Sequence, residues 1–113
     1  MPILTPDYST LSHEDMASAI GLKLKHIPML ITSFLQETPP ILQALEDAID
    51  SKDYTAIKEH SHALKGSAGN LRFDDIYKMS KDLELAGSDT NKDFEYTAYL
   101  QALKDAVATI PTV

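Results

Sequence analysis

Hydrophobic residues recur at helical spacing along almost the whole chain, and no stretch alternates in the manner of a half-buried β-strand. Residues 1–11 contain two prolines and indicate an extended lead-in. Ser12, with Asp15 three residues later, is a candidate N-cap for a short first helix. Gly21 is expected to end or bend that helix.

Residues 22–50 are ambiguous because Pro39 and Pro40 stand in their middle, and a proline inside a helix costs about 3 kcal/mol. Two separate helices would be the simplest interpretation. The hydrophobic stripe, however, keeps its phase across the prolines when each residue advances by about 100°. It consists of Ile27, Ile31, Phe34, Ile41, Leu45 and Ile49. The stripe therefore predicts one long helix with a kink near 36–40, and Pro28 fits its first turn or a second bend.

Three further helices are predicted in the rest of the chain, separated by short polar segments. Ser51–Asp53 forms the first connection and supplies a cap, and Asp74 is a candidate cap for the fourth helix. Gly87 is expected to end that helix as its C′ glycine, and Pro111 to stop the last one. The predicted spans are about 54–70, 75–86 and 93–109.

Long amphipathic helices joined by short connections predict an all-α fold, an antiparallel up-down four-helix bundle with a short extra N-terminal helix. The chain has 113 residues, which suits a single domain over residues 1–113 with its bundle at about 12–110.

Composition excludes several classes of protein. The net charge of −7 argues against nonspecific binding of nucleic acid, and no apolar run approaches the roughly 18–20 residues of a membrane span. The absence of cysteine excludes disulfides, thiolate zinc sites and cysteine nucleophiles. The N-terminus lacks the features of a secretory signal, so we expect a cytoplasmic protein.

The stretch HSHALKGSAGN (60–70) combines helical character with two glycines, each of which costs a helix interior about 0.8–1 kcal/mol relative to alanine. On a helical wheel centred on Ile57, the buried sector also includes Ser61, Leu64, Ala68 and Leu71. His62 lies about 140° from that centre, which predicts an exposed ring. His60 lies beside the core edge, which favours a half-buried, hydrogen-bonded structural role.

The exposed face around His62 has a chemical interpretation. Gly66 and Gly69 leave clear space for the surface of another molecule, and Lys58 and Lys65 flank the imidazole. Lys65, three residues after His62, can reach an anion on the ring. An uncrowded imidazole near cations suits phosphoryl transfer, which depends mainly on positioning and charge neutralisation.

The sequence HALKGSAGNL resembles the phosphoacceptor motif of histidine-containing phosphotransfer (HPt) domains, roughly H-x-L-K-G-(S/A)-(S/A). The resemblance extends upstream to ALEDAIDSKDY and downstream to DLELAG, and covers about residues 12–110. It implies a four-helix bundle that relays a phosphoryl group between aspartates of receiver domains and neither binds nor hydrolyses ATP.

The resemblance also implies roles for individual residues. His62 would carry the phosphoryl group through Nε2, Lys65 would neutralise its charge, and Gly66 would keep the site accessible. Glu84 occupies the position at which several members hydrogen-bond the other ring nitrogen. Arg72 departs from the pattern, since many members have glycine there.

The implied partners are receiver domains of response regulators or of a hybrid sensor kinase. No cofactor is expected on this chain, and Mg²⁺ is expected on the receiver. We expect a monomer that is not an enzyme, and Met1 and the length favour a free-standing protein over an excised domain.

One alternative function is that of a non-phosphorylated adaptor that docks on receivers or kinases. Another is a small helical hydrolase, for which the chain offers no full set of catalytic groups beyond His62 and Glu84.

Metal binding by the histidines is not predicted. His60 and His62 are two residues apart and point about 200° apart on a helix, so they cannot share one ion. His13 and His26 have no partners at useful spacing and are expected at the surface.

Overall fold

The computed structural model describes residues 3–112, and over that range it contains helices and no strand. Residues 1, 2 and 113, at the ends of the predicted lead-in and domain, lie outside this range. A short 3₁₀ turn, Leu24–His26, precedes the second helix. The helices are α1 (His13–Ile20), α2 (Ile27–Asp50), α3 (Tyr54–Asn70), α4 (Asp74–Ser88) and α5 (Tyr96–Ala108).

Four of these helices form the bundle. In the order α2, α3, α4 and α5, each packs against the next, and α5 returns to pack against α2. Short connections make consecutive helices antiparallel, while α1 packs against α2. The all-α fold with an extra N-terminal helix is therefore confirmed.

The N-terminal lead-in is tied to the bundle by Tyr8. The Tyr8 backbone N–H donates to Oγ1 of Thr109, just after α5, at 2.9 Å. The Tyr8 ring also lies 4.9 Å, between centroids, from the ring of Phe73, which in turn lies 5.1 Å from Phe34 of α2. Phe73 is almost fully buried, so this aromatic chain links the lead-in, α2 and the α3–α4 connection.

The proline pair does not interrupt α2, as the hydrophobic stripe predicts. Pro28 lies in the first turn, where its missing N–H costs no hydrogen bond. Buried Thr38, just before the pair, donates from Oγ1 to the carbonyl of Phe34 at 2.6 Å. All six residues of the predicted stripe lie in or against the core, with Ile41 and Ile49 half-buried at its edge, and the buried face also includes Thr38, Leu42 and Ala48. The predicted kink stays a prediction.

Helix starts agree with the predicted caps in two of three cases. Ser12 accepts from the Asp15 N–H to begin α1, and Asp53 accepts from the Ala56 N–H to begin α3. The prediction for Asp74 is wrong, because Phe73 holds the cap position and makes no side-chain bond. Asp74 is instead the first residue of α4, where its negative charge favours the helix N-terminus.

Gly87 does not end α4, which corrects the second prediction for that helix. It lies buried inside the helix, and a Cβ there would come within 3.0 Å of both the Tyr54 carbonyl oxygen and the Lys58 nitrogen. Glycine is required because α3 and α4 approach closely at this point. Because α4 continues to Ser88, the connection that follows is shifted to residues 89–95, and α5 begins at Tyr96 and not near Asp93.

Three helices end with a non-glycine residue in the left-handed conformation that usually favours glycine. The residues are Lys52 (φ 56°), Arg72 (φ 62°) and Thr90 (φ 51°). Each lies in a Schellman motif: at the end of α3, for example, the Phe73 N–H donates to the Ala68 carbonyl at 3.0 Å. Arg72, which departs from the glycine of the resembled pattern, thus adopts a conformation that usually favours glycine.

Candidate functional site

The candidate site lies where α3 and α4 run side by side. α3 carries Lys58, His62, Lys65, Gly66 and Gly69, and α4 carries Glu84. Two contacts fix how the antiparallel helices align: Gly87 against Tyr54 and Lys58, and Gly69 against Tyr77. This alignment places Glu84 opposite His62, although the two residues are 22 positions apart in sequence.

The His62 ring is held by one nitrogen and is otherwise open. Its Nδ1 lies 2.7 Å from Oε2 of Glu84, while the side chain remains 68% exposed. A carboxylate at this distance favours the tautomer with the proton on Nδ1, which then donates to Glu84. Nε2 keeps its lone pair and is available as a nucleophile. The predicted hydrogen bond between these side chains is therefore present, and the functional role of Glu84 stays a prediction.

Glu84 has a second partner that sequence reasoning missed. Nζ of Lys65 lies 2.6 Å from Oε1 of Glu84, so the two carboxylate oxygens serve Lys65 and His62 separately. The exposed fractions of the Lys65 and Glu84 side chains are only 22% and 15%. Lys65 was predicted to face a phosphoryl group, whereas here its ammonium is engaged by Glu84.

The pKa of Glu84 reflects this pairing. Burial acts to raise the pKa of Glu84, but hydrogen bonds from Lys65 and His62, together with the positive charge of Lys65, outweigh burial and hold the pKa below its ordinary value. Glu84 is therefore ionised at neutral pH and acts as an acceptor for both side chains.

The two glycines of the motif have different surroundings. A Cβ added at Gly66 would have nothing within 4 Å, which agrees with open space beside His62. A Cβ at Gly69 would lie 3.2 Å from Cδ2 of Tyr77. The prediction that Gly69 provides clearance needs correction, because the Tyr77 ring fills the space. The role of Gly66 in partner access stays a prediction.

A shallow depression adjoins His62, and its lining consists of Lys58, Glu59, His62 and Glu84. Lys58 and Glu59 are both exposed and form no ion pair within residues 3–112.

His60 is half-buried, as predicted, but its ring forms no hydrogen bond with any residue that the structure describes, so that part of the prediction is wrong.

Comparison with known proteins identifies the family. The family model described as Hpt domain matches residues 29–110, nearly three quarters of the chain. The chain belongs to the Hpt domain family. The match includes α2 to α5, apart from the first two residues of α2, and contains every candidate site residue. Neither the curated proteins nor the solved structures contain a significant match.

Membership gives the general role. Hpt domains are phosphocarrier modules of phosphorelays, and they interact with receiver domains or kinases of two-component systems. This Hpt chain therefore has a histidine phosphotransfer role in that general sense.

Over residues 3–112, no helix has the length and apolarity to span a membrane, and no group of three or more possible metal ligands occurs in the same range.

Proposed function

We propose that this Hpt protein relays a phosphoryl group between the aspartates of receiver domains through phospho-His62. The observation that carries the proposal is the exposed imidazole, held through Nδ1 by Glu84 with its other nitrogen directed away. The chain acts as a monomeric, cytoplasmic carrier without ATP binding or turnover of its own. The receiver supplies Mg²⁺ and most of the catalytic charge.

The transfer step follows from this geometry. Nε2 of His62 attacks the phosphorus of an aspartyl phosphate in line, an N–P bond forms, and the P–O bond to the aspartate breaks. The aspartate leaves as a carboxylate with the bonding electrons. The proton on Nδ1 stays in place, and the Glu84 carboxylate at 2.7 Å stabilises the positive charge that develops on the ring. The reverse reaction at a second receiver completes the relay.

The receiver would dock over His62 and an apolar rim near the start of α2. Leu22, Leu24 and Met29 are exposed there, with Met29 at 62%. Leu22 also lines a groove together with residues of α1, α2 and α3, including Leu30 and Ser67. Exposed apolar side chains concentrated in one region mark interaction surfaces.

The test is transfer from a receiver labelled with radioactive phosphate on its aspartate. Label should reach the wild type as acid-labile phosphohistidine and should be absent from His62→Gln. Equal labelling of both proteins would overturn the proposal, and docking without labelling of the wild type would favour a non-phosphorylated adaptor.

A second variant tests the proposed role of Glu84. Glu84→Ala removes the acceptor for Nδ1 and should slow transfer, because the imidazole loses both its tautomer preference and its orientation. Circular dichroism should show the same helix content as the wild type. An unchanged transfer rate would remove Glu84 from the mechanism while leaving the role of His62 intact.

A further inference from the structure

We propose that the phosphoryl group on His62 lies in the depression lined by Lys58, Glu59, His62 and Glu84, and that Lys58 is the cation that contacts it. In this assignment Lys65 is a positioning residue that acts through Glu84. The inference rests on the proposed function, and it gives Lys58 the contact with the phosphoryl group that the family resemblance implies for Lys65.

Lys65 is less suited than Lys58 to contact the phosphoryl group, because its ammonium already forms an ion pair with the Glu84 carboxylate. Its Nζ lies 2.6 Å from Oε1 of Glu84, and the two side chains are mostly withdrawn from solvent. Moving Lys65 to a phosphoryl group would leave a largely buried carboxylate without its lysine partner, which is costly. Lys65 also does not line the depression beside His62.

The direction of side chains on a helix favours Lys58 independently. Side chains tilt toward the helix N-terminus, so each covers the turn that precedes its own Cα. The His62 ring therefore lies over the turn of Lys58 and Glu59, and the depression is found on that side. Lys65 lies one turn in the other direction along α3.

Lys58 has the properties that an anion on Nε2 requires. It lies four residues before His62 on the same face of α3, where Cβ atoms are roughly 5–6 Å apart. It is exposed and has no carboxylate partner within residues 3–112, so its ammonium can turn toward a bound anion. Glu59 lines the same depression and opposes negative charge there. Lys58 thus attracts the negative charge of the phosphoryl group, and the adjacent Glu59 repels it.

Phosphoramidate is a suitable reagent because it needs no partner protein. Nε2 of His62 attacks its phosphorus, the P–N bond breaks, and ammonia leaves with the bonding electrons. His62→Gln verifies the site of modification. Absence of phosphohistidine in the wild type after this treatment would count against the proposed function and this inference together.

The readout on the modified protein is the second pKa of the phosphoryl group, followed by ³¹P NMR as the pH is varied. A nearby cation favours the dianion, so Lys58→Gln should raise this pKa by about 0.5, and Glu59→Gln should lower it by a similar amount. Lys25→Gln, on an exposed lysine of the 3₁₀ turn, makes the same change in net charge and should have little effect.

Lys65→Gln separates the two roles. It should leave the phosphoryl pKa nearly unchanged while altering the ring ¹⁵N shifts of unmodified His62, because Glu84 loses the partner that fixes its position. If Lys65→Gln raised the phosphoryl pKa by more than Lys58→Gln, with phosphorylation of His62 intact, the assignment to Lys58 would be overturned and the proposed function would stand.

Discussion

Glu84 connects the exposed His62 ring to the body of the protein. One carboxylate oxygen contacts Nδ1 of His62 and the other contacts Nζ of Lys65, at 2.7 and 2.6 Å. A mobile surface imidazole would sample many orientations, and a carboxylate that is itself anchored removes most of that freedom. The consequence is that the His62 imidazole is both exposed and oriented.

The lowered pKa of Glu84 predicts a pH-dependent contribution to stability. A carboxylate whose pKa is depressed in the folded state stabilises the fold above its unfolded pKa, near 4.3, and loses this contribution as the pH falls through the folded value. Glu84→Gln should therefore be less stable than the wild type at pH 7, with a smaller difference near pH 3. Urea unfolding at both pH values measures this, and an identical difference at both would contradict it.

The two glycines provide a matched pair of substitutions. Gly66→Ala should raise the free energy of unfolding by about 0.8–1 kcal/mol, because the added Cβ meets no atom of the chain. It should nevertheless slow transfer from a receiver, whose surface needs that space, and leave modification by phosphoramidate unchanged. Urea unfolding and the two phosphorylation rates are the measurements.

Gly69→Ala is the control, since its Cβ would press on Tyr77 at 3.2 Å. Its gain in stability should be smaller than that of Gly66→Ala. If a receiver transferred its phosphoryl group to Gly66→Ala as fast as or faster than to the wild type, the open space would have no role in docking.

At the scale of the helices, the main irregularities are the C-terminal ends. α2, α3 and α4 each close with a left-handed residue that is not glycine, at a conformational cost of roughly 1–2 kcal/mol. The hydrogen bonds of the Schellman motifs and the packing of Phe73 after α3 offset this cost. The local conformation is therefore imposed by the bundle and not by the residue at the turn.

Replacing these residues by glycine should stabilise the protein. We expect Arg72→Gly and Thr90→Gly each to add about 1 kcal/mol to the free energy of unfolding, with the larger effect at β-branched Thr90. Thermal unfolding followed by circular dichroism is the measurement. Lys78→Gly, at an exposed position inside α4, is the control and should destabilise. Lower melting temperatures for both turn variants would refute the strain at these positions.

The same elements show what the sequence could predict. The caps Ser12 and Asp53, and the bounds of α3, depend on local chemistry and were predictable. The sequence suggests a helix end at Gly87 because the true requirement, α3 backbone atoms that would lie 3.0 Å from a Cβ at this residue, is invisible in the pattern of one helix.

The contacts at the candidate site also divide into those that the sequence predicts and those that depend on packing between helices. The motif and its resemblance identified His62 and Glu84 as residues that meet. The engagement of Lys65 by Glu84 and the packing of Tyr77 on Gly69 depend on how α3 and α4 align, which no spacing within either helix determines.

At the scale of the whole molecule, α2 sets the long dimension. Its 24 residues span about 36 Å, and the molecule measures 43 × 24 × 21 Å. Phe73 lies where the lead-in, α2 and the α3–α4 connection converge, so it joins parts of the chain that are distant in sequence. The lead-in is thus part of the folded unit.

Phe73→Ala should accordingly be among the most destabilising single changes, at about 3–5 kcal/mol, because it leaves a cavity between Tyr8 and Phe34. Tyr8→Ala should cost less, since Tyr8 is only partly buried. Urea unfolding followed by circular dichroism gives both values, with exposed Leu85→Ala as the control. A loss below 1 kcal/mol for Phe73→Ala would contradict the assignment of Phe73 to the core.

The openness of the His62 ring has a consequence for the direction of signalling. With 68% of its side chain exposed and only Nδ1 engaged, the ring offers Nε2 in the same way to every receiver that docks. Donor and acceptor then react through one geometry, so under the proposed function the exchange is reversible. Net flow would follow the relative free energies and concentrations of the two aspartyl phosphates, and a change in either receiver pool could reverse the relay without any change in the carrier.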